Sequence, residues 1–228
     1  MSTTPLLRTE GAVIDAGGQR IGPLDWSVDA GETLWLSAPA GGSKSVVLRA
    51  LVGMEPLEQG HIHLLGHDLG ALSPIEQLAL RQRVGFVPQS GALLSNLGLE
   101  ANLALLARHH LGLEGEALAE RLTEVAVALD LPSLAGRRLA DAEPSLVRRV
   151  AIGRVLALRP PLLLLDEPAW AVDAGRADAF WSALERLRAT SRIGMVIASA
   201  FPPRRFVQDL RLETLRPAFR KRRRSEAP

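Results

Sequence analysis

The sequence predicts an α/β fold: a mainly parallel sheet of buried strands, an antiparallel β segment in the first third of the chain, and an inserted helical lobe. Three observations carry this. Short apolar segments separated by glycine turns open the chain. Continuous apolar runs too short to be helices then alternate with helical stretches, and from about residue 98 to 158 leucines and alanines recur at three- and four-residue spacing.

Taken in order, Ala12-Val13-Ile14, the turn at Gly17-Gly18, and Leu24 to Val28 closed by Asp29-Ala30-Gly31 read as short antiparallel strands. Thr33-Leu34-Trp35-Leu36 predicts a buried strand, followed by the loop Ala38-Pro39-Ala40-Gly41-Gly42 and a helix from Lys44 to Leu51. A further buried strand is expected at Val84-Gly85-Phe86-Val87, stopped by Pro88. The helical stretch breaks at Gly112, Pro132 and Gly136. A strand at Leu162 to Leu165, a helix from about Gly175 to Arg188 and a strand at Ile193 to Ala198 complete the pattern.

The 228 residues are 47% hydrophobic and 23% charged, enough for a packed core and unlike a disordered or fibrous chain. Zero cysteines exclude a disulfide framework and a thiolate metal site. The net charge of +2 is unevenly placed: residues 216 to 224 hold six of the 27 bases, leaving 21 bases against 24 acids in residues 1 to 215. The basic character therefore belongs to a C-terminal tail, residues 216–228, and the acidic body offers no case for nucleic acid. That tail reads either as a solvated terminus or as a contact for anionic headgroups or an acidic neighbour. No apolar run approaches membrane-span length and Met1-Ser2-Thr3-Thr4-Pro5 lacks a signal-peptide pattern, so a cytoplasmic location is expected.

Two segments carry chemistry. Ala38-Pro39-Ala40-Gly41-Gly42-Ser43-Lys44-Ser45 lies between a buried strand and a helix, where a phosphate-binding P-loop would lie. In that pattern backbone N–H groups cradle phosphates, the lysine reaches the outer ones and the hydroxyl holds Mg²⁺. Ala38 and Ser43 replace the two pattern glycines, so the segment also reads as a plain connecting loop. The lysine census favours the chemical reading: 25 of the 27 bases are arginine, yet Lys44 is kept where a slim point charge fits and a planar fork does not. The second segment is Leu162-Leu163-Leu164-Leu165-Asp166-Glu167-Pro168. It places an acidic pair at the C-terminal end of a buried strand, where open α/β sheets bind ligands. Asp166 suits Mg²⁺ and Glu167 suits polarising an attacking water.

Together these segments resemble the nucleotide-binding subunit of ABC transporters, over nearly the whole chain. Val84 to Gln89 looks like the Q-loop, Arg148 to Ala157 like the helix after the signature motif, and Val172-Asp173 like the end of the D-loop. The resemblance implies a P-loop NTPase of the ABC ATPase fold, with an antiparallel β subdomain and a helical subdomain of about residues 90–158 inserted in a single domain, residues 1–215. It implies ATP and Mg²⁺ bound through Ala40, Gly41, Gly42, Ser43, Lys44 and Ser45, metal contacts from Ser45, Gln89 and Asp166, and catalytic roles for Glu167 and Gln89. It further implies a membrane permease as partner, assembly as a homodimer or a heterodimer with a second ATPase subunit, and a peripheral place at the cytoplasmic face of the inner membrane. Gln89 to Leu94 and Leu97 to Asn102, with Leu72-Ser73-Pro74, are similar to the bacterial lipid-trafficking branch, the Mla-type ATPases.

Departures from the family pattern bear on mechanism. The signature L-S-G-G-[QM] falls on Ala142-Glu143-Pro144-Ser145-Leu146, so Pro144 removes an N–H and Glu143 sets a negative charge where a phosphate should dock. The switch histidine falls on Ser199, and none of His61, His63, His67, His109 and His110 lies nearby in sequence, so these five are expected at the surface. No aromatic stands near residues 13 to 18 to stack an adenine, and Trp26 is displaced from that position. The expectation is a subunit that binds Mg-nucleotide modestly and hydrolyses it slowly. The alternative is a non-catalytic scaffold for a permease complex.

Overall fold

The computed structural model describes residues 4–38, 43–170, 172, 174–200 and 211–215; at 174–176 and 211–214 the backbone alone is described. Among the described residues, nine strands fall into two sheets. β1 (Leu7–Asp15) and β2 (Arg20–Val28) form an antiparallel hairpin whose turn contains Gly17 and Gly18 at positive φ. β4 (Leu57–Leu64) pairs antiparallel with β1, and the two-residue β5 (His67–Asp68) extends the edge, for an order β2-β1-β4-β5.

The second sheet is parallel, in the order β6-β7-β8-β3-β9. Its strands are β3 (Thr33–Ser37), β6 (Gly85–Val87), β7 (Leu162–Asp166), β8 (Gly194–Ala198) and β9 (Arg211–Thr214). Every residue of β7 and β8 is buried, because both faces of the sheet are covered. Alternate side chains divide between two apolar clusters. Leu34, Leu36, Leu162, Leu164, Val196 and Ala198 pack with the antiparallel sheet and with α1 (Ser43–Leu51). Trp35, Leu163, Leu165, Met195 and Ile197 face the helical side.

That side is built from α3 (Leu99–Leu111), α4 (Gly115–Ala128), α5 (Pro144–Leu156) and α6 (Ala174–Thr190). The helical stretch expected from about residue 98 to 158 contains α3, α4 and α5. The expected break at Gly112 ends α3 in the left-handed conformation, those at Pro132 and Gly136 fall between α4 and α5, and Pro144 opens α5. Gly153 allows α5 its close approach, since a Cβ there would lie within 3 Å of Leu103 and Val125 side chains. Residues 88–98, by contrast, are turns and not helix, and the helical insert begins at Leu99. β4, β5, β9 and α2 (Pro74–Arg81) are elements the sequence pattern does not announce by apolar spacing. α2 is nonetheless signalled by Ser73 and Glu76, which cap each other reciprocally, with Pro74 at the first helical position.

Buried Asn102 holds the turn region to α3. Its Oδ1 accepts from Leu94 N at 2.8 Å, and its Nδ2 donates to the carbonyls of Leu94, Leu97 and Gly98 at 3.0, 3.2 and 3.1 Å. Replacing it by a side chain of similar size but no polarity strands those backbone groups. Asn102→Leu is expected to lower the unfolding free energy by about 2–3 kcal/mol, read by denaturant titration.

Candidate functional site

The in-register parallel strands end together. Asp166 pairs with Ala198, and Ala198 with Leu36, so the residues that follow leave the sheet at one level of its C-terminal edge. β8 lies between β7 and β3, so Ser199 emerges between the end of β7 and the strand that leads to α1. Such an edge is where polar groups can meet without breaking the buried ladder.

Five of the sequence-predicted residues, Ser43, Lys44, Ser45, Asp166 and Glu167, converge here or border it. Ser43 opens α1, and Lys44, second in that helix, is 6% exposed. Its Nζ donates to Ala38 O at 3.2 Å and pairs with Glu167 Oε1 at 3.3 Å. Asp166 ends β7, is 4% exposed, and has one carboxylate oxygen, Oδ1, with no partner among the described residues. Burial pushes its carboxyl above the ordinary aspartate range. A hydrogen bond from Ser45 opposes this, the nearby Glu167 charge adds to it, and the charges of Lys44 and Arg49 oppose it.

Glu167 holds a left-handed backbone conformation, φ 43°, which a non-glycine residue adopts only under constraint. Its N–H donates to Ala198 O at 2.8 Å and its carbonyl accepts from Trp170 N at 2.9 Å. Strand alternation would send residue 167 after Leu163 and Leu165 to the helical side. The left-handed turn takes it out of the strand and brings its carboxylate to Lys44.

Other predicted residues stand apart. Gln89 lies half-buried just past β6, beside the end of β7, but among the described residues no hydrogen bond joins it to this cluster. Ala40, Gly41, Gly42 and Asp173 lie outside the described residues, as does the tail from Arg216 to Arg224. His61, His67, His109 and His110 are exposed and His63 half-buried, away from the cluster, as expected. Trp26 is buried in the apolar cluster beneath the antiparallel sheet. At the start of α5, Glu143 takes the cap position with no side-chain capping bond, Pro144 follows, and Ser145 is buried.

Sequence reasoning noted Ser199 only as the place of a missing histidine and Arg148 only as part of a helix, and did not read the contacts that either makes. Ser199 donates from Oγ to Glu167 Oε2 at 2.7 Å. Arg148 is buried on α5, with Nε 3.3 Å from Trp170 O and Nη1 3.5 Å from Pro88 O, so it bridges the segments after Glu167 and before Gln89. Nearly two turns further along α5, buried Arg154 holds Ala92 O and Gly91 O at 2.8 and 3.1 Å. The available signal was arginines recurring among the apolar residues of this helix.

The residues fit a magnesium-bound polyphosphate. A buried carboxylate oxygen without a partner and a neighbouring hydroxyl are hard oxygen donors of the sort Mg²⁺ takes together with phosphate and water. Lys44 adds a cation at a helix start.

Residues 21–170 match the family model described as ABC transporter. The chain belongs to the ABC transporter family. Among the relatives of this ABC protein, the lipoprotein-releasing system ATP-binding protein LolD of Nitratidesulfovibrio vulgaris is 34% identical over 185 residues, 77% of this chain and 78% of that one. The methionine import ATP-binding protein MetN of Rhizobium johnstonii is 39% identical over 155 residues, 66% of this chain but 41% of that longer one. The ABC fold is shared with the bacterial ABC transporter cassette MJ0796, solved as a dimer, at a TM-score of 0.74 and 22% identity over 86% of this chain and 88% of that one.

The raised Asp166 carboxyl sets a sign for pH. A group that binds its proton more firmly when folded contributes stability that is full below the ordinary aspartate range and is lost as pH rises through its raised value. Asp166→Asn is therefore expected to be more stable than the parent at neutral pH. That advantage should shrink on acidification, as measured by denaturant unfolding across pH.

Proposed function

We propose that this ABC protein is the ATP-binding subunit of a bacterial transporter and binds Mg-ATP at the C-terminal edge of the parallel sheet. The observation that carries the reading is the meeting of Lys44, Asp166 and Glu167 there, with the Asp166 oxygen that lacks a partner. Lys44 would meet the outer phosphates, with backbone groups of Ala40, Gly41, Gly42 and Ser43 cradling them. Ser45, Asp166 and Gln89 would hold Mg²⁺, which when bound offsets phosphate charge. Glu167 would accept the proton of the attacking water. ATP-binding relatives support this assignment.

Hydrolysis is slow in this reading. Pro144 lacks a donor and Glu143 is an anion at the start of α5, where a neighbouring subunit's nucleotide would approach, and Ser199 stands where a histidine is usual. A second such subunit, identical or different, completes the assembly. Trp170, 59% exposed three residues beyond Glu167, gives that contact an apolar group. A membrane permease docks near Gln89 and the helical lobe, which makes the protein peripheral at the cytoplasmic face of the inner membrane. Among the described residues no helix is long and apolar enough to cross a membrane.

A lipid-type cargo, as in the Mla branch, rests on the segments around Gln89 to Asn102. The lipoprotein-releasing relative leans the same way, while relatives named for spermidine, methionine and iron import match to a similar degree. The scaffold reading draws on one observation: Lys44 already has two internal partners.

Titration with labelled ATP and Mg²⁺ separates the two readings. The expected result is saturable binding that weakens on the order of tenfold or more in Lys44→Ala, while Glu167→Gln keeps binding and loses most, but not all, of its residual turnover. Turnover as fast as that of a LolD-type relative assayed in parallel refutes slow hydrolysis, and absence of saturable binding leaves the scaffold.

A further inference from the structure

We infer that Ser199 is a positioning residue for Glu167: its hydroxyl fixes the carboxylate orientation that hydrolysis of ATP requires. The inference rests on the nucleotide-binding reading above. Glu167 is gripped at both carboxylate oxygens, Oε1 by Lys44 at 3.3 Å and Oε2 by Ser199 Oγ at 2.7 Å. The two grips differ in what a nucleotide does to them. Phosphate competes for the Lys44 ammonium, because a polyphosphate carries more negative charge than one carboxylate. Nothing in that exchange draws on the serine hydroxyl, so the Ser199 bond is the one left to hold Glu167 once phosphates arrive.

Ser199 is itself immobilised. Its N–H donates to Leu36 O at 3.1 Å, its carbonyl accepts from Trp35 Nε1 at 3.1 Å, and the residue is 8% exposed. Trp35 is fully buried and packs its ring against that of Trp181 at 5.6 Å between centroids. The anchor therefore stands directly at the end of β8, tied by two hydrogen bonds to β3 over a packed core, which is what a precise donor needs. Register delivers it: Asp166 and Ala198 are paired neighbours that end their strands, and Glu167 and Ser199 are the residues that follow them.

In hydrolysis the water oxygen bonds to the γ-phosphorus as the bond to the bridging oxygen breaks. ADP leaves with that electron pair, and the water proton passes to the Glu167 carboxylate. A carboxylate free to rotate meets that water less often. A hydroxyl donor at Oε2 leaves Oε1 as the oxygen that turns toward the phosphate side.

The test is single-turnover hydrolysis of Mg-ATP by the full chain, alongside ATP affinity and unfolding midpoint. Ser199→Ala is expected to slow the chemical step by about tenfold with affinity and midpoint unmoved, and Ser199→Thr, which keeps the hydroxyl, to restore it. Ser199→Ala combined with Glu167→Gln should be no slower than Glu167→Gln alone, since the serine acts through the carboxylate. An unchanged rate in Ser199→Ala, additive losses in the double variant, or a loss of affinity matching the loss of rate overturns the inference. A chain that binds Mg-ATP without any turnover overturns it too but leaves the binding reading standing. A chain with no saturable ATP binding removes both.

Discussion

An ammonium group taken out of water must be answered by an opposite charge, and the pairing of buried Lys44 with Glu167 is the constraint around which this edge of the molecule is arranged. The lysine comes from the first turn of α1 and the glutamate from the residue after β7, so the pair ties the helix that follows β3 to a strand two places away in the sheet. Both sides accept a cost for it. Glu167 takes a left-handed backbone, and Asp166 beside it remains buried with an oxygen that no group among the described residues satisfies. Strain and desolvated charge in adjacent residues are hard to explain by stability alone, and they are the usual marks of a site kept for chemistry.

The parallel sheet was legible in the sequence because its central strands are buried on both faces. Leu162 to Leu165 and Met195 to Ile197 have no solvent side, so they read as unbroken apolar runs. β4 was not legible for the opposite reason. Its Leu57-Glu58-Gln59-Gly60-His61 half is largely exposed, and the strand exists through its pairing with β1 and not through its own pattern. β9 has four residues at a sheet edge, beyond what periodicity can register. Lys44, Asp166 and Glu167 could be read as a site because their types are rare in such positions. The Ser199 bond could not, because it follows from β8 lying between β7 and β3 in matched register, and strand order is not written in a local pattern.

Arg148 and Arg154 connect this edge to the helical lobe. Both are buried on α5, and both spend their donors on backbone carbonyls: those of Pro88, Gly91 and Ala92 around the Gln89 turn, and that of Trp170 past Glu167. Burial works against the Arg148 charge and the Asp166 carboxylate works for it, so the guanidinium is linked electrostatically to the site it braces. A displacement of the Gln89 turn would thus be felt along α5 and at Trp170 without a covalent path. Coupling of this kind needs a hydrogen-bonded strut that spans both segments, and of the two arginines only Arg148 does so, Arg154 bracing the Gln89 side alone.

The same logic of internal satisfaction explains why binding and turnover can come apart in this chain. At the start of α5, Pro144 gives up an N–H that no helix can use within itself, so the helix loses nothing. Glu143 puts a negative charge at the positive end of the helix dipole, which favours the helix. Both changes improve α5 as an element and spoil it as a receptor for an anion. Lys44 is likewise satisfied from within, by Ala38 O and Glu167. A phosphate arriving at Lys44 exchanges one anion for a stronger one and can still win. A phosphate arriving at α5 would meet the Glu143 carboxylate and find one donor fewer. In the proposed reading, the binding half of the site would be the one that survives, and catalysis the half that these internal contacts oppose.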